Sequence, residues 1–258
     1  MRNIKLTLAY DGTDFFGWQA QPGKLTVQGA LSEVLHKLTQ EKVIVFGAGR
    51  TDAGVHAQGQ VASFKTQSGL TAAEFQRACN ALLPAAIRVS AAEEVGPDFH
   101  ARWQAVAKTY QYRIYRGRIV PPFEWRYVLH YPWALEEAAM GEAARLFEGE
   151  HDFSSFAGAS GSEDGKGEPT KIRQIYRSEM ARDASGEALL YTVRGRSFLR
   201  YMVRKIVGTL IEVGKGKLAA ADIPGLFALR DRSRSGPTVP ACGLCMMSVE
   251  YPEGWKIG

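Results

Sequence analysis

The chain has little cysteine, no long apolar run and only a modest charge imbalance. Each shortage removes a class of protein. Three cysteines among 258 residues (Cys79, Cys242, Cys245) make no even disulfide framework, which points to a reducing compartment. Cys242 and Cys245 have C-x-x-C spacing, yet no second Cys/His pair stands at zinc spacing and the pair opens an apolar run, so they read as buried structural thiols and no metal is expected. No stretch approaches the ~20 apolar residues that a membrane helix needs, and the N-terminal MRNIKLTLAY has no apolar leader core. These shortages predict a soluble, cytoplasmic chain with no membrane partner.

Lysine and arginine number 32 against 27 acidic residues, a net charge of +5. An excess of this size does not by itself imply nucleic acid. Its distribution says more. Residues 101–130 hold six basic side chains (Arg102, Lys108, Arg113, Arg116, Arg118, Arg126) against one acid, Glu124. Residues 191–211 hold five (Arg194, Arg196, Arg200, Arg204, Lys205) and no acid. Either stretch alone reads as a solvated face. Two of them, interleaved with Tyr and Phe, suit a surface that grips phosphates and stacks bases.

At this length the chain can bury one large core or two small ones. Ile4, Leu6, Leu8 and Tyr10 alternate as a strand ending at Asp11-Gly12, and Val27, Leu31, Val34, Leu35 and Leu38 have helical spacing. Strands are expected at 42–46 and, more weakly, 60–65. Thr71-Ala-Ala-Glu74 is a capping box opening a helix that stops before Pro84, with Phe75, Ala78, Cys79 and Leu82 on one side. A strand at 87–95 completes the order β-α-β-β-α-β. The same order is read again in a strand through Tyr110, Tyr112 and Ile114, a helix at 135–147, strands at 171–180 and 188–195, helices at 199–213 and 219–229, and a strand at 244–251. The predicted fold is therefore α+β: two ferredoxin-like or RRM-like units, 1–105 and 106–258, with mainly antiparallel sheets packed side by side around a central cleft. The Gly/Ser-rich segment 157–168 has no periodicity and reads as a mobile loop.

The loop GAGRTDAGVHA (47–57) sets Arg50, Asp52 and His56 among Gly, Ala and Thr, directly after the apolar run 43–46. Small residues allow close approach, so Asp52 is either a catalytic carboxylate on a short rigid loop or a solvated turn residue. In the basic helix, Met202, Ile206 and Leu210 lie four apart and face a core, with Arg200, Arg204 and Gly208 on a second line. A half-buried Arg204 needs a carboxylate. Asp52 is one candidate, an internal structural salt bridge the other.

GAGRTDAGVHA resembles the signature loop of the TruA-type tRNA pseudouridine synthases. The resemblance continues in family order through YDG (10–12), FGWQ (16–19), TVQ (26–28), NALLP (80–84), DFHAR (98–102), KTYQY (108–112), HDFSSF (151–156) and FLRYMVRKIVG (198–208). Departures are small: Val239 stands where a smaller residue is expected, and Met246 lies in a usually aliphatic strand. The resemblance implies isomerisation of uridine to pseudouridine at nucleotides 38, 39 and 40 of the tRNA anticodon arm, without cofactor, by a homodimer. It further implies Asp52 as catalytic nucleophile or base, the route (C1′, C6 or a glycal) staying open. Arg204 is implied as the basic partner of Asp52. Tyr110 would stack on the uracil and help remove the C5 proton, and Arg50 would hold a phosphate or fill the space of the flipped nucleotide. His56, Arg200 and Lys205 are expected RNA contacts, with a loop-structural role open for His56. Asp11, Asp98 and His100 are structural or RNA-positioning.

Three rivals are weaker. A binding module needs no carboxylate beside its phosphate grips. An aspartic-protease site needs a second carboxylate loop, and none appears. Gly47-Ala-Gly49 lacks the spacing and lysine of a P-loop.

Overall fold

The computed structural model describes residues 1–158 and 170–255. The chain forms two compact units, Met1–Lys108 with Cys245–Gly258, and Thr109–Leu244.

The first unit runs β1 (Arg2–Tyr10), α1 (Val27–Thr39), β2 (Phe46–Gly47), β3 (His56–Thr66), α2 (Ala72–Leu82) and β4 (Ile87–Val95). β1 lies between β4 and β3, antiparallel to both, and β2 is antiparallel to β3. Alternation along β1 sends Ile4, Leu6, Leu8 and Tyr10 into the core, where Val27, Leu31, Val34 and Leu35 of α1 and Phe75 and Cys79 of α2 are also buried. Thr26 caps α1 by accepting the Gly29 N–H, and the expected capping box of α2 is complete, Thr71 and Glu74 each bonding the other's backbone N–H. Leu82 is exposed, because α2 ends there.

Two expectations change in this unit. The strand at 42–46 shrinks to Phe46–Gly47, since the Val45 carbonyl is taken at 2.8 Å by the Gln28 side chain. The weak strand at 60–65 grows to eleven residues, long enough to pair with more than one neighbour.

The second unit takes up most of β5 (Ala107–Tyr115), then runs through β6 (Leu129–His130), α3 (Glu137–Arg145), β7 (Gly149–Asp152), β8 (Ile172–Arg182), β9 (Ala188–Gly195), α4 (Met202–Gly214) and α5 (Ile223–Leu229). Its strands follow the order β5-β9-β8-β7, with β6 parallel to β5 and the β7–β8 and β8–β9 pairs antiparallel. The apolar stripe Met202, Ile206 and Leu210 is buried as its spacing requires. From residue 159 on, the segment expected to be a mobile loop lies outside the described residues.

The closing strand β10 (Leu244–Glu250) corrects the division read from the sequence, which gave it to the second unit. From Cys245 onward it belongs to the first. Cys245 and Met246 pair in parallel with His56 and Ala57, at the end of β3 that β2 leaves uncovered. Val249, Tyr251 and Trp255 then pack on a core of Ala48, Val61, Val95, Phe99 and Ala101.

Candidate active site

Uncharged groups hold the loop between β2 and β3 at several points. Ala48 N–H donates to Val61 O at 2.7 Å, and Gln60 Nε2 donates to Gly49 O at 2.8 Å. The buried Tyr10 hydroxyl meets Thr51 Oγ1 at 2.9 Å, and burial drives its phenol pKa far up. Trp18 N–H donates to Thr51 O at 3.0 Å, Gly54 N–H to Phe15 O at 3.3 Å and Val55 N–H to Asp52 O at 3.1 Å. Gly17 permits the close approach: its φ is +85°, and a Cβ there would stand 2.5 Å from Thr51 O. In these bonds Asp52 takes part through its carbonyl. Asp52 as a residue is half-buried, and Arg50 on the same loop is exposed.

His56, expected as an RNA contact or a loop-structural residue, is buried. The residue is 5% exposed, and its Nδ1 accepts the Gly12 N–H at 3.0 Å. Asp11 Oδ1 lies 3.2 Å from the same nitrogen. Asp11 Oδ1 also accepts from Thr13 N–H and Thr13 Oγ1 at 3.0 and 2.5 Å. His56 thereby ties the start of β3 to the turn after β1.

Tyr110, Arg200, Arg204 and Lys205 lie in the second unit. Tyr110 on β5 is buried with Phe198 edge-on to its ring at 5.0 Å. Tyr112, two residues on and so on the same face, packs inside the core and donates to Pro240 O at 2.8 Å. At the start of α4, Tyr201 adopts the left-handed conformation, φ 63° and ψ 0°. Its ring carries two guanidinium groups, with Arg200 Cζ at 4.8 Å and Arg204 Cζ at 5.1 Å from the centroid. Arg204 Nε also donates to Val239 O at 2.8 Å, so the unexpected valine lies in a segment whose backbone anchors this arginine.

Lys205, expected as an RNA contact, is buried too. It is 5% exposed, and its ammonium donates to the carbonyls of Arg232 and Gly236 at 3.1 and 3.2 Å. Burial, then the Arg232 charge, lowers its pKa. It is an internal strut between α4 and residues 232–236. Arg200 is exposed, as a nucleic-acid contact requires.

Sequence reasoning missed Tyr201. A left-handed tyrosine costs about 1–3 kcal/mol and persists only where its surroundings hold it. Its signal was faint: a tyrosine between two arginines spaced four apart.

Among the described residues, no three His, Cys, Asp or Glu side chains group so as to hold a metal ion. Cys242 Sγ donates to Val128 O at 3.3 Å and Cys245 Sγ to Met246 O at 3.8 Å, and burial raises the Cys245 thiol to about 11. No helix among these residues is long and apolar enough to cross a membrane.

A family model described as tRNA pseudouridine synthase matches residues 7–104 and 143–252. A tRNA pseudouridine synthase A of Solibacter usitatus is 51% identical over 97% of this chain and 100% of its own length. One from Geobacillus kaustophilus is 45% identical over 98% and 95%. Another, from Caldicellulosiruptor saccharolyticus, is 43% identical over 97% and 100%.

Proposed function

The chain belongs to the tRNA pseudouridine synthase family, and from that premise we propose that it isomerises uridines 38, 39 and 40 of the tRNA anticodon arm, with Asp52 acting on the nucleotide. The conversion of uridine to pseudouridine in tRNA follows from membership itself. In that reaction the N1–C1′ bond breaks, the uracil turns, C5 bonds to C1′, and the proton lost from C5 is balanced by one gained at N1. Nothing is oxidised or reduced.

The observation that carries the assignment of Asp52 is the loop. Asp52, half-buried as a residue, stands on a loop held through Thr51 and Gly49 by the uncharged Tyr10 and Gln60, within the residues that the family model matches. A fixed carboxylate can attack or take a proton without reorganising at the moment of reaction. Tyr110 stacks on the uracil and assists loss of the C5 proton; Phe198 holds its ring in position for both. Arg204, set by Tyr201 and Val239, is the basic group assigned to the reaction. Arg50 and Arg200 are exposed cations for phosphates.

The strand order β4-β1-β3-β2 of the first unit supports a ferredoxin-like reading of it. A cytoplasmic homodimer belongs to the same proposal.

The test is tritium release from tRNA labelled at uracil C5, with the modified positions mapped by carbodiimide treatment and primer extension. Wild type should release tritium without added cofactor and mark 38–40, and Asp52→Asn should release none. Equal release by a folded Asp52→Asn enzyme would overturn the role of the carboxylate.

A further inference from the structure

The first unit carries an exposed aromatic row that the proposed chemistry does not use. Phe46, immediately before the Asp52 loop, is 42% exposed, and Trp103 is 71% exposed. His100 lies between them, its ring centroid 4.5 Å from that of Phe46 and 5.5 Å from that of Trp103, with planes tilted by 41° and 38°. Arg102 sets its guanidinium carbon 5.1 Å from the centre of the Trp103 ring.

The row is held from beneath. Ser63 pairs in register with Phe46, and its Oγ accepts the Ala101 N–H at 3.1 Å, so one residue fixes both ends of the contact. Tyr251 donates to Ala101 O at 2.6 Å. The Gln104 side chain accepts the His100 N–H at 2.7 Å and donates to Asp98 O at 3.0 Å. His100 Nδ1 accepts the Arg102 and Trp103 N–H groups at 3.1 and 3.4 Å, which leaves the ring proton on Nε2. Burial first, then the Arg102 charge, lowers the His100 pKa, so the middle ring is neutral at neutral pH.

Such a row has no packing task toward solvent. Large rings held rigid and exposed, with an arginine seated on one of them, are what unpaired bases and their phosphates need. Arg102 is itself exposed beside Trp103, and Asp98 is an exposed carboxylate at the start of the segment. We propose that Phe46, His100 and Trp103, with Arg102, form a stacking surface for unpaired nucleotides of the RNA substrate, additional to the group that acts on the target uridine. This rests on the tRNA reading above.

The test compares the full-length wild type with Trp103→Ala, Phe46→Ala, Trp103→Phe and Arg102→Gln. Each is assayed for binding of a tRNA transcript and of oligoadenylate, which has no uridine to modify, and for pseudouridine formation. Trp103→Ala should weaken binding of both RNAs about ten-fold, in line with the loss of one stacked base. It should raise KM by the same factor and leave kcat within about two-fold. Trp103→Phe should recover most of the binding. Arg102→Gln should lower the slope of log Kd against log salt by about 0.7–0.9. Trp103→Ala and Phe46→Ala proteins that melt like wild type and bind both RNAs like wild type would overturn the surface, while wild-type pseudouridine formation left the tRNA reading standing. Oligoadenylate binding that depends on Trp103, in a wild type that forms no pseudouridine, would uphold the surface and overturn the tRNA reading.

Discussion

Asp52 stands on a loop whose shape is kept by Tyr10, Thr51, Gln60 and backbone groups, whereas Arg204 and Lys205 are themselves part of what shapes the start of α4. Along the first loop, polar but uncharged partners contribute bonds to the frame, Arg50 is exposed and Asp52 is half-buried. At α4 the cations are structural members: Lys205 joins two carbonyls, and Arg204 bonds Val239 while resting on a strained Tyr201. A functional group on a loop that other bonds also hold can be replaced at less cost to the fold than one whose own bonds join two segments. Stability should therefore separate the two regions even where activity does not.

The largest effect tests that separation directly. Asp52→Asn should lower turnover by at least about a thousand-fold, the scale of a lost acid–base or nucleophilic group, while the melting temperature stays at the wild-type value. A large drop in melting temperature would mean that Asp52 belongs to the frame after all.

Lys108, at the start of β5, extends the comparison to a charge inside the first unit. Burial, then Arg102, lowers its pKa to about 8. The unfolded chain holds this proton up to the ordinary lysine value and the folded chain gives it up earlier. Between those two values the unfolded state binds more protons, so stability rises with pH there, and the cost is fully present below about 8. Lys108→Met should be more stable than wild type at pH 7 by about 3 kcal/mol, and the advantage should fade as pH passes from 8 toward the unfolded lysine pKa. Urea titrations of both proteins across that range are the measurement. A difference that does not change with pH would place the Lys108 ammonium in water.

Arg204→Ala should lose activity and also about 1.5–3 kcal/mol of stability, the range for a hydrogen bond from a charged group. Wild-type stability in that variant would erase the contrast with Asp52.

How legible each region was follows from the same contrast. Apolar periodicity carries β1, α1, the Met202–Ile206–Leu210 stripe and the bounds of β9, because a core-facing side chain leaves a period in the sequence. Partner choice leaves none. The Gln28 side chain that ends the expected strand at Val45, and the parallel pairing that draws Cys245 and Met246 to β3, are contacts between distant residues. For the same reason the amide that His56 meets and the carbonyls that Lys205 meets were not legible: a motif does not reveal the group that awaits a side chain inside. The loop around Asp52 was legible as a loop because its Gly, Ala and Thr act locally, and the conformation of Tyr201 was not because it is set by what surrounds it.

The smallest expected effect probes the frame of the Asp52 loop without touching its charges. Gly17 has φ +85°, and a methyl group there would stand 2.5 Å from Thr51 O and 3.1 Å from Ala53 N, both backbone atoms flanking Asp52. Gly17→Ala therefore combines a left-handed alanine, about 1–2 kcal/mol, with a push on the carbonyl that Trp18 N–H holds at 3.0 Å. Thr51 cannot yield alone, because its hydroxyl is bonded to Tyr10 in the core, so the displacement passes to Asp52. Gly17→Ala should then lose stability modestly and activity by a larger factor than that stability loss explains. The checks are a melting curve and tritium release at a temperature where the variant is fully folded. A variant with lowered stability and wild-type turnover would mean that the loop absorbs the methyl group without moving Asp52, and the rigidity argued for this region would fall.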